Sequence, residues 1–155
     1  KTGAQLVILG TGDRHYEDAL RSLEYRRHDK VRSLIMFSSE ASSKVYSSCD
    51  MFLMPSKTEP CGLSQLISMR YGTVPVVHRV GGLRDTVIPF TGVEGNGFTF
   101  ESFQSGDMMD AIYRAVTCFY QSPDEWNQII QNNLNKDVSW EKSAKQYLSL
   151  YQEVL

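Results

Sequence analysis

Short apolar runs alternate with amphipathic stretches through most of the chain. Gln5–Leu9 is apolar and ends at Gly10-Thr11-Gly12-Asp13, which reads as a strand followed by a tight turn. A helix is expected over roughly His15–Tyr25, with Ala19, Leu20 and Leu23 on one face. Val31–Phe37 is a second apolar run, and Ser38-Ser39-Glu40 supplies capping chemistry for a helix over about Ser42–Ser48. Met51–Met54 predicts a third strand, Pro55–Pro60 a loop and Gly62–Tyr71 a helix. Val74–His78 predicts a fourth strand, with Gly81-Gly82 as a turn and a short helical piece near Leu83–Val87. Gly92–Gly97 reads as a loop and Phe98–Phe100 as a small last strand. Helical patterns over Ser105–Tyr120, Asp124–Asn133 and Glu141–Val154 follow, with Pro123 where a first-turn proline is tolerated.

Strands alternating with helices across short loops imply an α/β domain: an open parallel sheet with helices on both faces. The strands are apolar without alternation, as expected when both faces are covered. A sheet of this type needs a strand and a helix before Gln5–Leu9, so a preceding βα unit is expected outside the 155 residues.

Composition narrows the classes. At 155 residues and 41% hydrophobic content, one domain with a core is expected. A formal net charge of −2 gives no basic excess for nucleic acid. No apolar run approaches the roughly 20 residues that span a bilayer. Cys49, Cys61 and Cys118 are odd in number and without a Cys-x-x-Cys pair, which argues against a disulfide scaffold or zinc ribbon and points to a reducing compartment.

In an open parallel sheet, ligands bind beyond the carboxyl ends of the strands. Four loops share that edge: Gly10–Asp13, Phe37–Glu40, Ser56–Leu63 and Val80–Leu83. The third carries the strongest chemistry. Pro60 holds Glu59 extended, Gly62 allows close approach to the main chain, and Leu63, Ser64 and Gln65 open a helix. A carboxylate able to grip sugar hydroxyls thus meets amides able to hold phosphate, a combination that suits a nucleotide sugar. The alternative is an ordinary helix start with Glu59 as a surface charge. Gly10-x-Gly12 lacks the third glycine of a dinucleotide fingerprint, since His15 stands there, and it fits a plain turn as well as a ligand contact. Phe37 is either a ring for stacking on a base or part of the core. Cys61 sits at a helix start without a partner base, so its backbone matters more than its sulfur. His15, His28 and His78 lack ligand spacing, no Asp-x-Asp pair is present, and Gly-x-Ser-x-Gly is absent, so neither a metal site nor an esterase elbow is expected.

Three runs carry a family resemblance: Lys57-Thr58-Glu59-Pro60-Cys61-Gly62-Leu63-Ser64-Gln65-Leu66, Arg70-Tyr71-Gly72-Thr73-Val74-Pro75-Val76-Val77 and Gly81-Gly82-Leu83-Arg84-Asp85-Thr86-Val87. With Leu9–Asp13 upstream and Ser139-Trp140-Glu141, Tyr147 and Tyr151 downstream, the chain resembles bacterial glycogen synthases and plant starch synthases along nearly its whole length. The resemblance implies the GT-B fold, two Rossmann-like domains facing across a cleft. It makes residues 1–155 a single, N-terminally truncated nucleotide-sugar-binding domain whose acceptor-binding partner domain is absent.

It further implies a retaining transfer of glucose from ADP-glucose to the non-reducing end of an α-1,4-glucan, with no metal or cofactor. Glu59 becomes the catalytic carboxylate at the glucose hydroxyls. Cys61 and Gly62 pack against the sugar, Leu63 and Ser64 hold the diphosphate, Phe37 stacks on adenine and Gly12 lies beside the donor. Ile67 stands where related sucrose- or mannose-handling enzymes carry a second Glu, which favours the glycogen and starch synthase branch. The family's Arg and Lys that neutralise the diphosphate belong to the first βα unit, so the 155 residues alone are expected to be inactive. Partners are the donor, the glucan and the acceptor domain, with no nucleic acid and no membrane. The compartment is the bacterial cytoplasm, or a plastid if the source is a plant. Two alternatives remain: a GT-B hexosyltransferase using another nucleotide sugar, and a non-catalytic nucleotide- or carbohydrate-binding module.

Overall fold

The computed structural model describes residues 2–154. Five strands and seven helices follow one another as β1 (Leu6–Leu9), α1 (Arg14–Arg26), β2 (Val31–Leu34), α2 (Ser39–Ser48), β3 (Met51–Met54), α3 (Ser64–Arg70), β4 (Val74–His78), α4 (Gly81–Thr86), β5 (Phe98–Phe100), α5 (Ser105–Gln121), α6 (Pro123–Leu134) and α7 (Trp140–Val154). Every strand pairing is parallel. This is the α/β architecture that the alternating pattern implies.

Local chemistry explains most boundaries. Asp13 is extended, and its carboxylate accepts from His15 N at 2.9 Å, which starts α1. Ser38 does the same for α2, its Oγ accepting from Ala41 N at 3.1 Å. Pro123 occupies the first turn of α6, where a missing N–H costs nothing.

Four expectations need correcting. β2 stops at Leu34 rather than Phe37, because Leu34 O accepts from both Gly10 N (3.1 Å) and Met36 N (2.9 Å) and the chain turns away. α2 starts at Ser39 rather than Ser42, directly after the Ser38 cap. α3 starts at Ser64 rather than Gly62, because Gly62 has φ of 68°, outside the right-handed helical region. Gly81-Gly82 opens α4 instead of forming a separate turn.

The sheet departs from a single ladder. Hydrogen bonding runs in two pieces, β1–β2 and β3–β4–β5. Leu6 pairs with Val31 in the first; Met51 pairs with Val74 and Val76 with Phe98 in the second. β1, β2, β3 and β5 each keep one edge unpaired among the described residues, and Leu6 and Val7 are about two-fifths exposed.

The core gathers on the second piece. All of β4 and β5 is buried. Val74, Val76, Phe98 and Phe100 pack with Ala111 and Ala115 of α5 and with Trp126 and Ile129 of α6. Trp126 meets Phe119 edge-on at 5.2 Å, a favoured aromatic geometry. A smaller cluster of Val77, Leu83 and Val87 fastens α4 to β4. By contrast, α1, α2 and α7 bury no residue among those described, and α7 leaves Trp140, Tyr147 and Tyr151 largely exposed.

Candidate functional site

The loop between β3 and α3 has a built conformation. Glu59 is half-buried and Oε1 accepts from Gly62 N at 3.1 Å, so the carboxylate folds back over its own turn. One carboxylate oxygen is thereby engaged, and Oε2 makes no hydrogen bond among the described residues. The loop rests directly on the start of α4. Gly82 N donates to Glu59 O at 3.0 Å. A Cβ on Gly81 would overlap the Glu59 carbonyl oxygen, and one on Gly82 would overlap the Cys61 carbonyl. Only glycines allow this contact, and Gly81 also has φ of 46°.

A buried polar chain ties the two segments from below. Gln65 is fully buried; its Nε2 donates to Gly62 O at 2.5 Å and to Thr86 Oγ1 at 2.9 Å. Thr86 Oγ1 in turn donates to Gly82 O at 2.6 Å. Gln65 Oε1 has no partner among the described residues. The Gln65 head occupies the space beside Gly62, only 2.6 Å from where a Cβ would lie, so Gly62 is needed for shape as well as for its φ.

The entry of the loop is held by His78 at the end of β4. The ring is buried, lies 5.2 Å from Phe100 in a stacked arrangement, and places Nδ1 2.7 Å from Ser56 O. Nε2 lies 3.3 Å from Glu101 O.

At its exit the loop becomes α3 with no side-chain cap; the first helical bond is Ile67 N to Leu63 O at 2.9 Å. The amides of Ser64, Gln65 and Leu66 have no acceptor among the described residues. Such donors are satisfied by water or by an anionic ligand. Leu63 is 69% exposed and Cys61 is exposed, so the rim is open.

The structure therefore brings Glu59, Cys61, Gly62, Leu63 and Ser64 into one turn, with Cys61 and Leu63 exposed, Glu59 and Ser64 partly so and Gly62 buried. Gly12 and Phe37 follow β1 and β2, on the other sheet piece, and make no hydrogen bond to the Glu59 loop among the described residues. Gly12 N is engaged by Glu17 Oε1 at 3.0 Å. Phe37 is 92% exposed, which removes the core reading of that ring. Two hollows of the surface lie elsewhere: one of about 440 Å³ beside Tyr25, and one of about 450 Å³ between Ile88 and Lys136.

The family model for glycosyl transferases group 1 matches residues 1–136. The chain belongs to this family. Among curated relatives, the glycogen synthase of Thermotoga petrophila is 46% identical over 97% of this chain and 32% of its own length. That of Clostridium novyi is 48% identical with the same coverage. The glycosyltransferase chain thus spans about a third of the length of these relatives. Among solved structures, the catalytic domain of Arabidopsis thaliana starch synthase IV bound to ADP and acarbose is 32% identical, with a TM-score of 0.87 over 98% of this chain and 32% of that one. A sucrose-phosphate synthase from Thermosynechococcus elongatus, 24% identical with a TM-score of 0.70, shares the fold.

Several residues of this candidate site are not evident from the sequence. The Val80–Leu83 loop is visible in sequence as part of the shared edge, but nothing there shows that Gly81 and Gly82 lie under Glu59 and Cys61. Gln65 reads as one more polar residue of a helix start, and His78 as a histidine without a metal partner. The one available signal was Gln65 four residues before Met69, on the helix face that also carries Ser68.

Proposed function

We propose that this chain is the donor-binding half of a glycogen or starch synthase. In that reading the whole enzyme transfers glucose from ADP-glucose to the non-reducing end of an α-1,4-glucan with retention. The observation that carries it is the meeting, on one pinned loop, of the Glu59 carboxylate with the unpaired amides of Ser64, Gln65 and Leu66. The relatives named glycogen synthase support it, as do the ADP and acarbose named for the Arabidopsis structure.

Each group then has a task. Glu59 accepts hydrogen bonds from the glucosyl hydroxyls and fixes the sugar against the turn at the exposed Cys61 and its neighbour Gly62. Leu63 and Ser64 bring helix-start amides to the diphosphate, whose negative charge grows as the glycosidic bond breaks. Donors preset for that charge lower the barrier without reorganising. Phe37 offers an exposed ring to adenine, and Gly12 leaves room beside the donor. No metal or cofactor is assigned to the reaction.

The unpaired edges of β1 and β3 support a further part of the proposal. A parallel strand set between them would join the two sheet pieces into one and carry the cationic residues for the diphosphate. The acceptor domain supplies the opposite wall of the cleft. The 155 residues alone are therefore expected to show no transfer, because a closed cleft must exclude water and seat the acceptor. The assignment to a bacterial cytoplasm, or a plastid in a plant, belongs to the same proposal.

The test is Glu59→Gln in a chain that includes the acceptor domain, with glucose transfer to a maltooligosaccharide as the readout. A fall in kcat of about 10²–10³-fold is expected, the scale for losing one preset polar contact to the transition state. Unchanged turnover removes Glu59 from the reaction.

A further inference from the structure

We propose that the hollow beside Tyr25 is a second carbohydrate site, which takes a neutral oligosaccharide away from the donor loop. It rests on the reading of this chain as part of an enzyme that elongates a glucan. The hollow is lined by Arg21, Glu24, Tyr25, His28 and Arg32 and measures about 440 Å³. That lies within the roughly 300–1,000 Å³ of small-molecule sites.

Its chemistry matches a sugar. A pyranose is amphipathic, with hydroxyls around its rim and C–H bonds above and below. The negative face of an aromatic ring attracts such C–H bonds. Tyr25 is 86% exposed, so its ring is presented to solvent without a packing partner in the core. Around it stand a guanidinium pair, a carboxylate and an imidazole, planar groups that bridge vicinal hydroxyls.

The charge balance excludes the obvious rival, an anion. Both guanidiniums are already matched. Arg21 donates to Asp18 at 2.9 Å and to Glu17 at 3.3 Å, and Arg32 donates to Glu24 at 2.7 Å. The hydrogen bonds from Arg32 and from Ser33 N hold the Glu24 carboxyl below the ordinary glutamate value, so it stays ionised and keeps Arg32 neutralised. A phosphate would have to displace these carboxylates. A polyol adds hydrogen bonds without disturbing them.

Position supports a role for a long substrate. Arg32 is the second residue of β2, at its amino end, whereas Gly12 and Phe37 follow the carboxyl ends of β1 and β2. A glucan held here is held outside the reacting cleft, which serves a polymer and has no purpose for a small acceptor. Avidity then follows from two engagements of one chain.

The experiment uses the ¹⁵N-labelled 155-residue chain, titrated separately with maltoheptaose, inorganic phosphate and ADP. Maltoheptaose is expected to move the amides around Glu24, Tyr25 and Arg32. Tyr25→Ala is expected to weaken that binding by about tenfold or more, while Tyr25→Phe, which keeps the ring, retains it. Both variants alter an exposed side chain and leave the fold intact. Phosphate moving these amides while maltoheptaose leaves them still would overturn the proposal. So would an unchanged maltoheptaose affinity in Tyr25→Ala, or shifts confined to residues 59–66. The ADP titration reads Phe37 and Ser64–Leu66, so its failure counts against the donor-site assignment and not against this hollow.

Discussion

The two sheet pieces carry the two halves of the candidate site on very different foundations. The β3–β4–β5 piece buries every residue of β4 and β5 and sits against α5 and α6. The β1–β2 piece contributes one buried hydrophobic residue, Val31, and its helix α1 buries none among those described. The Glu59 loop grows from the first and is further locked by Gly81, Gly82, Gln65 and His78. Gly12 and Phe37 grow from the second and are locked by little. A rigid grip is thus built where the sugar and phosphate are proposed to sit, and a compliant one where the base is proposed to stack. Preorganisation matters most where charge develops, so the difference follows the demands of the chemistry.

Glycine substitutions break the comparison most sharply. Gly81→Ala is expected to cost about 3 kcal/mol or more, because the new Cβ overlaps the Glu59 carbonyl and the residue must hold φ of 46°. Gly12→Ala meets nothing within 4 Å and is expected to stay within about 0.5 kcal/mol of the parent. Urea unfolding of the two variants reads both values. Equal costs would mean that the two loops are built alike.

Hydrogen exchange sharpens the contrast next. Amides of β4 and β5 are expected to exchange only through global opening, and those of β1, β2 and α1 through a local opening that costs several kcal/mol less. Uniform protection across both pieces would show that the buried core supports them equally.

The smallest effect on the fold comes from Phe37→Ala. The ring is 92% exposed, so stability is expected to change by less than about 0.5 kcal/mol. Affinity for ADP is expected to fall by about 1–3 kcal/mol if the ring stacks on the base, as calorimetric titration would show. An unaltered affinity would detach Phe37 from the site.

The pattern of apolar runs foretold the element order because each strand and helix carries its own period and its own stops. Asp13, Ser38 and Pro123 mark helix starts through local chemistry, and local chemistry is readable in sequence. Met51–Met54, Val74–His78 and Phe98–Phe100 were legible to the residue because turn-formers bracket them. The end of β2 was not, since the bond from Met36 N to Leu34 O turns a chain that is still apolar. The two-piece sheet was not legible either, because pairing between strands depends on what lies between them in space. At the candidate site, the carboxylate and the helix start stand next to each other in sequence, so their proximity is legible there. Gly81-Gly82 beneath Glu59 is a contact across 22 positions, and no periodicity reports such a contact.

The most direct test of the whole account is a crystal structure of the chain, with its acceptor domain, in complex with ADP-glucose. The account predicts the glucosyl group against Cys61 and Gly62, the Glu59 carboxylate on its hydroxyls, and the diphosphate at the amides of Ser64–Leu66. A donor bound elsewhere, with Glu59 turned to solvent and those amides bonded only to water, would contradict it.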